Sequence, residues 1–208
     1  EVLTTNEPLW FRDGYPFNLL ESELFAKLTN NQSSLKIWSA ACSSGQEAYS
    51  IGMCWLNYIQ NNANAKNKSM KVIGTDISSE MLHTAKLGEY DHLATSRGLP
   101  AAYQSQYFDV VAANKLRVKA ELKQLAEFKP INLLSNYHAL GRFDIVFCRN
   151  VLIYFSPEVK KQILQKIAAC LQDGGILFLG ASESLSDLSD QFIMVRSPIG
   201  LYYQKKNH

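Results

Sequence analysis

The sequence predicts an α/β fold, with a Rossmann-like parallel sheet and a small antiparallel β insert. Apolar runs typical of buried strands occur at residues 35–39, 70–74 and 143–148, and segments of helical periodicity separate them. This alternation breaks between residues 88 and 130, where residues 115–122 alternate apolar with polar side chains as a half-exposed strand does. The 208 residues are 47% hydrophobic, which fits one sizeable globular domain.

The helices are predicted from apolar residues at three- and four-residue spacing and from their caps. They cover residues 17–28, 46–61, 78–87 (including the cap) and 157–171. Pro157 suits the first turn of the last helix. Residues 1–16 read as irregular, Asp173-Gly174-Gly175 as a turn into a strand over residues 176–180, and residues 192–204 as a terminal hairpin.

The insert is predicted to contain three short antiparallel segments, at residues 107–111, 115–122 and 125–128. Its exposed face carries three basic residues: Lys115, Arg117 and Lys119. Such a face either docks an acidic partner or is simply solvated, and the charge pattern favours neither.

The turn at residues 40–45, between the first strand and the next helix, is made of small residues. Small side chains let a ligand approach the backbone, and Gly45 tolerates torsions that other residues avoid. The first amides of the following helix point unpaired toward this turn, as in the nucleotide sites of doubly wound proteins. The strings GxGxxG and GxxxxGK[ST] are absent from the sequence, which counts against a dinucleotide or triphosphate site.

Two acidic residues narrow the class of ligand. Glu47 opens the helix after the turn, where its charge suits a cationic or hydroxyl-bearing ligand better than pyrophosphate. Asp76 follows the second strand, where this architecture holds ribose hydroxyls. S-adenosylmethionine carries a sulfonium, an ammonium and a ribose diol, and fits both. The alternative is an ordinary turn in which Glu47 only favours the helix N-terminus.

Composition excludes several classes of function. A net charge of +2 does not argue for nucleic-acid binding, and neither an apolar run long enough for a membrane span nor a signal-peptide pattern occurs in the sequence. The four cysteines show no CxxC spacing, so reduced thiols in a cytoplasmic protein are predicted. The four histidines are scattered, which predicts no metal site.

Five segments, taken together, resemble the chemotaxis receptor glutamate O-methyltransferase (CheR) family. They are residues 4–12 (TTN…FR), 38–50 (WSAACSSGQEAYS), 75–77 (TDI), 147–155 (FCRNVLIYF) and 177–184 (LFLG…SES). The resemblance spans nearly the whole chain, and it implies a class I S-adenosylmethionine-dependent methyltransferase fold. The implied activity is O-methylation of glutamate side chains in the cytoplasmic domain of methyl-accepting chemotaxis receptors, which gives methyl esters for sensory adaptation.

The resemblance also implies roles for single residues. Glu47 would hold the amino-acid part of S-adenosylmethionine and Asp76 its ribose, while Asn132 and Leu133 would flank the adenine. The other expected cofactor-binding residues line or close the site: Asn150 and Val151 at its floor, Asn6 and Arg12 over it, and Ala41 in the turn. Arg12 and Tyr154 would lie nearest the methyl group and the substrate, and they are the expected catalytic residues.

Methyl transfer to a glutamate side chain does not require a general base. A glutamate side chain has an unperturbed pKa near 4.3 and is already an anion at neutral pH. It needs orientation rather than deprotonation, and a guanidinium such as that of Arg12 can orient a carboxylate through two hydrogen bonds. Tyr154 can donate a hydrogen bond or exclude water. Outside the resemblance, a surface ion pair for Arg12 and core packing for Tyr154 are the ordinary interpretations.

Residues 1–30 are expected to form an N-terminal linker and helix that closes over the cofactor site. Residues 31–208 would form the methyltransferase domain, with residues 91–130 as the inserted antiparallel subdomain. The expected protein is a monomer that binds no nucleic acid and does not insert into a membrane. Two alternatives stay open: a carboxyl methyltransferase acting on another acidic substrate, and a cofactor-binding sensor or scaffold module. Pro8 and Ala181, which depart from the family pattern, leave the second one open.

Overall fold

A computed structural model describes residues 7–208, so the predicted contact of Asn6 lies outside the described residues. The strands, in chain order, are β1 (Ser34–Ser39), β2 (Ser69–Asp76), β3 (Glu89–Asp91), β4 (Phe108–Ala112), β5 (Lys115–Val118), β6 (Ala126–Pro130), β7 (Phe143–Phe147), β8 (Leu171–Phe178), β9 (Phe192–Arg196) and β10 (Leu201–Lys205). The helices are α1 (Tyr15–Leu19), α2 (Phe25–Thr29), α3 (Gln46–Asn61), α4 (Ser79–Leu87), α5 (His92–Thr95), α6 (Ala101–Tyr107), α7 (Ala120–Lys123) and α8 (Pro157–Cys170). A π-helical turn, Leu20–Leu24, joins α1 to α2.

The main sheet has seven strands in the order β6-β2-β1-β7-β8-β10-β9. The pairings from β6 to β8 are parallel, and the terminal hairpin of β9 and β10 adds two antiparallel pairings at the edge. The chain leaves β1 toward β2 on one side and returns to β7 on the other. The crevice between β1 and β7, beyond their carboxyl ends, is therefore the topological switch point where open α/β sheets bind ligands. The predicted α/β fold is confirmed.

Helices cover both faces of this sheet because successive strand residues point to opposite sides. Ile37 packs into the core under α3, whereas its neighbour Trp38 packs into the core under α8. Trp38 stacks on Phe143 with ring centroids 5.4 Å apart. β7 is buried along its whole length, as a central strand covered on both faces requires. No helix within residues 7–208 is both long and apolar enough to cross a bilayer.

The small sheet has three antiparallel strands in the order β3-β5-β4 and spans Glu89 to Val118. It is narrower than the insert expected over residues 91–130. The predicted insert segment at residues 125–128 is wrong, because β6 pairs parallel with β2 and extends the main sheet. The predicted strand at residues 115–122 ends at Val118, and the good helix formers that follow begin α7.

The three basic residues of the predicted insert face all contact other parts of the chain. Arg117 and Lys115 both form ion pairs with Glu89, and the Lys119 ammonium donates to the Ser105 carbonyl at 3.3 Å. These contacts favour the interpretation of this face as a solvated surface. One further segment differs from prediction: residues 173–175 form an irregularity inside β8, with Gly174 at φ 75°, rather than a turn before the strand.

Gly45, which precedes α3, has φ 97°, and a β-carbon there would lie 2.9 Å from the Ala85 Cβ and 3.1 Å from the Tyr90 hydroxyl. We expect Gly45→Ala to lower the free energy of unfolding by about 2–3 kcal/mol, because backbone strain adds to overpacking. The matched control is Gly14→Ala, at φ 67° with no atom within 4 Å of the added carbon. That variant should lose only about 1 kcal/mol. Equal losses in urea denaturation would contradict the close packing at Gly45.

Candidate active site

A cavity of about 250 Å³ opens beyond the carboxyl ends of β1 and β7, at the switch point of the sheet. Its walls come from four parts of the chain: residues 8–17, residues 41–47 in the turn after β1 and the start of α3, Asp76 at the end of β2, and residues 149–154 after β7. Seven of the residues singled out from the sequence line it together: Arg12, Ala41, Glu47, Asp76, Asn150, Val151 and Tyr154. The fold therefore gathers residues that lie far apart in the chain.

Asp76 connects the two turns at the carboxyl ends of β1 and β2. Its Oδ2 accepts the amide of Ser43 at 2.9 Å, and its Oδ1 accepts the amide of Ser78 at 3.0 Å. Ser43 sits at φ 51°, in the left-handed region. A carboxylate oxygen can accept a second hydrogen bond, so the two amides orient Asp76 and leave acceptor capacity toward the cavity.

Glu47, the second residue of α3, places a carboxylate inside the cavity with its side chain 19% exposed. Its Oε1 accepts the Ser39 hydroxyl at 2.7 Å, and its Oε2 lies 3.4 Å from Nη1 of Arg149. Burial raises the pKa of Glu47 above its ordinary value. The charges of Arg149 and Arg12 and the hydrogen bond from Ser39 act in the opposite direction and favour the carboxylate. The charge of Glu47 therefore depends on its cationic neighbours.

Arg149, two residues beyond the end of β7, is a lining residue that sequence reasoning missed. Its side chain is only 1% exposed, and its Nη2 donates to Asp13 Oδ2 at 2.6 Å and to the Arg12 carbonyl at 2.9 Å. The guanidinium also lies 5.9 Å from the centroid of the Phe17 ring. Arg149 therefore ties the N-terminal segment to Glu47. The available signal was a single cation directly following the predicted strand at residues 143–148, which is apolar except for Asp144.

Asn150 and Tyr154 form the opposite wall of the cavity. Asn150 has φ 59°, and Oε1 of Glu183 accepts its amide as well as the amide of Gly180, the latter at 2.9 Å. Glu183 thus holds the chain after β7 against the chain after β8. Tyr154 ends a 3₁₀ turn, Leu152–Tyr154, and is 53% exposed at the mouth of the cavity.

Two predicted residues do not line the cavity. Leu133 is 6% exposed and packs into the core under α8, and Asn132 is exposed, with its Oδ1 accepting the amide of Leu134 at 2.9 Å. Both follow β6, whose last residue pairs with Asp76, so they lie near the same edge of the sheet. Lining residues to which the sequence assigned no role include Leu9, Phe17, Cys42 and Ser43. Burial raises the pKa of the Cys42 thiol, which keeps it neutral.

The cavity lies at the switch point of a parallel sheet. Carboxylates, rather than a phosphate-binding glycine loop, stand beyond its first strand and at the end of its second. Together these two features define a Rossmann-like methyltransferase site. The solved structure of magnesium protoporphyrin IX methyltransferase from Synechocystis PCC 6803 with bound S-adenosylmethionine shares this fold. Its TM-score is 0.50 at 15% identity, over 93% of this chain and 81% of that one.

The family model described as "CheR methyltransferase, SAM binding domain" matches residues 6–201, and the chain belongs to this family. "Chemotaxis protein methyltransferase 1" of Pseudomonas aeruginosa is 47% identical over 208 residues, covering 99% of this chain and 76% of that protein. The protein of the same name from Vibrio cholerae is 47% identical over 206 residues, covering 99% and 74%. The chain is an S-adenosylmethionine-dependent methyltransferase, and the resemblance predicted from the sequence is confirmed.

The donor set of the cavity fits this cofactor. Glu47 offers a carboxylate oxygen to an ammonium, and Asp76 offers oriented acceptors to a diol. Phe17, Leu9 and Val151 supply apolar surface in the same cavity. No phosphate-like ligand would be favoured between two carboxylates, so the chemistry of the residues agrees with the family.

Proposed function

We propose that this protein methylates glutamate side chains in the cytoplasmic domain of chemotaxis receptors and produces methyl esters for sensory adaptation. The observation that carries the proposal is the cavity lining: of the described residues that form it, two are arginines and none is histidine or lysine. An amine or alcohol nucleophile needs a general base, whereas a carboxylate does not. A cavity that holds Arg12 beside the two carboxylates expected to bind the cofactor, and that has no histidine or lysine in its described lining, suits an acidic substrate. The names of the relatives support chemotaxis receptors as the source of that substrate.

In this proposal Glu47 binds the amino-acid part of the cofactor and Asp76 the ribose. Ala41, Asn150 and Val151 line its site, Asn132 and Leu133 lie beside the adenine, and Asn6 closes over it. Bound S-adenosylmethionine supplies an electrophilic methyl group on its sulfonium. Arg12 orients the glutamate carboxylate, and Tyr154 shields the mouth from water or donates a hydrogen bond. Such positioning can supply about 7–11 kcal/mol of the barrier reduction.

We also propose that the protein acts as a monomer in the cytoplasm. Its four cysteines, Cys42, Cys54, Cys148 and Cys170, are buried free thiols, which supports a reducing compartment. Sedimentation at micromolar concentration with receptor domain absent and then present would measure the oligomeric state directly.

The proposed function is tested with methyl-labelled S-adenosylmethionine and receptor cytoplasmic domains. Base-labile volatile methanol is then counted, because only carboxyl methyl esters release it. A positive count establishes both the nucleophile and the class of protein substrate. If no methanol is detected, calorimetric titration with S-adenosylhomocysteine distinguishes between the remaining hypotheses. Binding without transfer would favour a sensor or another acidic substrate.

Arg12→Ala is expected to reduce methyl transfer at least tenfold while cofactor binding is retained. The planar guanidinium can hold a carboxylate through two hydrogen bonds, which alanine cannot replace. Arg12→Lys keeps the charge but not the fork geometry, so it should fall between the wild type and Arg12→Ala. Turnover by Arg12→Ala equal to the wild-type rate would remove Arg12 from the mechanism.

A further inference from the structure

A second groove, of about 340 Å³, lies beside the active-site cavity. One of its sides is formed by Ile153 and Pro157, and the other by the serines at positions 182, 184 and 186 in the chain after β8. Lys160, in the first half of α8, also lines it. The groove therefore combines an apolar wall, a row of hydroxyl groups and one cation.

The groove and the reaction site share one segment of the chain. The 3₁₀ turn Leu152–Tyr154 forms part of both, since Tyr154 lines the cavity while Ile153 lines the groove and is 52% exposed. The two are also held together by one carboxylate. Oε1 of Glu183 accepts the amides of Asn150, at the cavity, and of Gly180, after β8. When a substrate side chain lies at Tyr154, the substrate residues that flank it therefore lie beside this groove.

One cation in the groove, Lys160, can pair with an acidic segment. Within residues 7–208, the ammonium of Lys160 forms neither an ion pair nor a hydrogen bond with the chain. Glu183 is the acidic residue among the described lining residues. Its Oε1 accepts two amides and its Oε2 is buried, and Glu183 forms no ion pair with Lys160 within residues 7–208.

We propose that this groove binds the receptor segment next to the methylated glutamate, with Lys160 pairing with a second carboxylate of that segment. The proposal rests on the proposed function and specifies where its substrate lies. In a helical segment, residues three or four positions apart share one face, so the second acidic residue would lie one turn from the methylated one. Ile153 then packs against apolar side chains of the segment, and the serines donate to its polar groups.

The test compares Lys160→Glu with Lys161→Glu in steady-state methylation of a receptor cytoplasmic domain. Lys161 is the next residue of α8, is exposed and does not line the groove. Lys161→Glu is therefore the matched control, because it makes the same change of charge outside the groove. Lys160→Glu is expected to raise KM for the receptor domain about tenfold, mainly in KM rather than kcat, because one close charge pair becomes a repulsion. Lys161→Glu should keep the wild-type KM. The Kd for S-adenosylhomocysteine should be the same in all three proteins.

Equal KM values for the two variants would overturn the groove as a subsite while leaving the proposed function intact. A rise in the Kd for S-adenosylhomocysteine as large as the rise in KM would also overturn it, because the change would then act through the cofactor site. Absence of transfer by the wild-type protein would overturn the proposed function and this inference together.

Discussion

Replacing Arg149 with alanine is expected to lower the free energy of unfolding by about 3 kcal/mol. The guanidinium is 1% exposed and contacts Asp13, the Arg12 carbonyl and Glu47 at 2.6, 2.9 and 3.4 Å. Its removal leaves two partly buried carboxylates without their cation and detaches the segment before α1 from the sheet. Urea denaturation monitored by tryptophan fluorescence measures the loss, since Trp10 and Trp38 are buried on opposite faces of the sheet.

The matched control for this variant is Arg142→Ala. Arg142 is exposed just before β7 begins, at the opposite edge of the sheet from the cavity. Its truncation should change the free energy of unfolding by less than about 0.5 kcal/mol.

Arg149→Ala should in addition weaken binding of S-adenosylhomocysteine, because Arg149 is the largest influence that lowers the pKa of Glu47. A variant as stable as the Arg142→Ala control would contradict the structural role given to Arg149.

Replacing Glu47 with glutamine is expected to weaken binding of S-adenosylhomocysteine about 100-fold at neutral pH, or about 2.7 kcal/mol. The amide keeps the shape and the hydrogen bond to Ser39 but loses the charge that would face the ammonium of the ligand. Calorimetric titration measures the loss. Glu80→Gln, an exposed change in the first turn of α4, should leave the affinity unchanged.

The pH dependence gives a second measure of Glu47. Burial raises the pKa of Glu47, so the fraction of carboxylate falls as pH decreases through that raised pKa. An α-ammonium group has a much higher ordinary pKa than a glutamate, so the ligand ammonium stays charged in acidic solution. Wild-type affinity should therefore rise as pH increases through the raised pKa and fall as pH decreases through it. The Glu47→Gln variant should lack this slope, and a slope equal to that of the wild type would assign the titration to another group.

The local pattern of apolar and polar residues was enough to predict the helix and strands that position the site. The helix predicted over residues 46–61 is α3, and β1, β2 and β7 occur where apolar runs predict buried strands. Their type is determined by the periodicity of neighbouring side chains, which is visible in the sequence. The place of Glu47 and Asp76 follows from it, since the carboxyl ends of adjacent parallel strands share one edge of a sheet.

The pairing of strands that lie far apart in the chain could not be predicted from the sequence in the same way. The strand β6 was predicted within the antiparallel insert, and only its register with β2 placed it in the main sheet. A short apolar run can pair in either direction, so the partner is decided by the packing of Phe128 and its neighbours in the folded core.

The sequence by itself determined the fold class, the family and the two carboxylates that line the cavity. The tertiary structure alone decided the roles of Arg149 and Glu183. The partners of Arg149 lie more than 100 residues away along the chain, and those of Glu183 belong to the ends of two neighbouring strands. Both side chains act through contacts that exist only once the sheet has formed, because burial makes each charge depend on partners that no local pattern specifies.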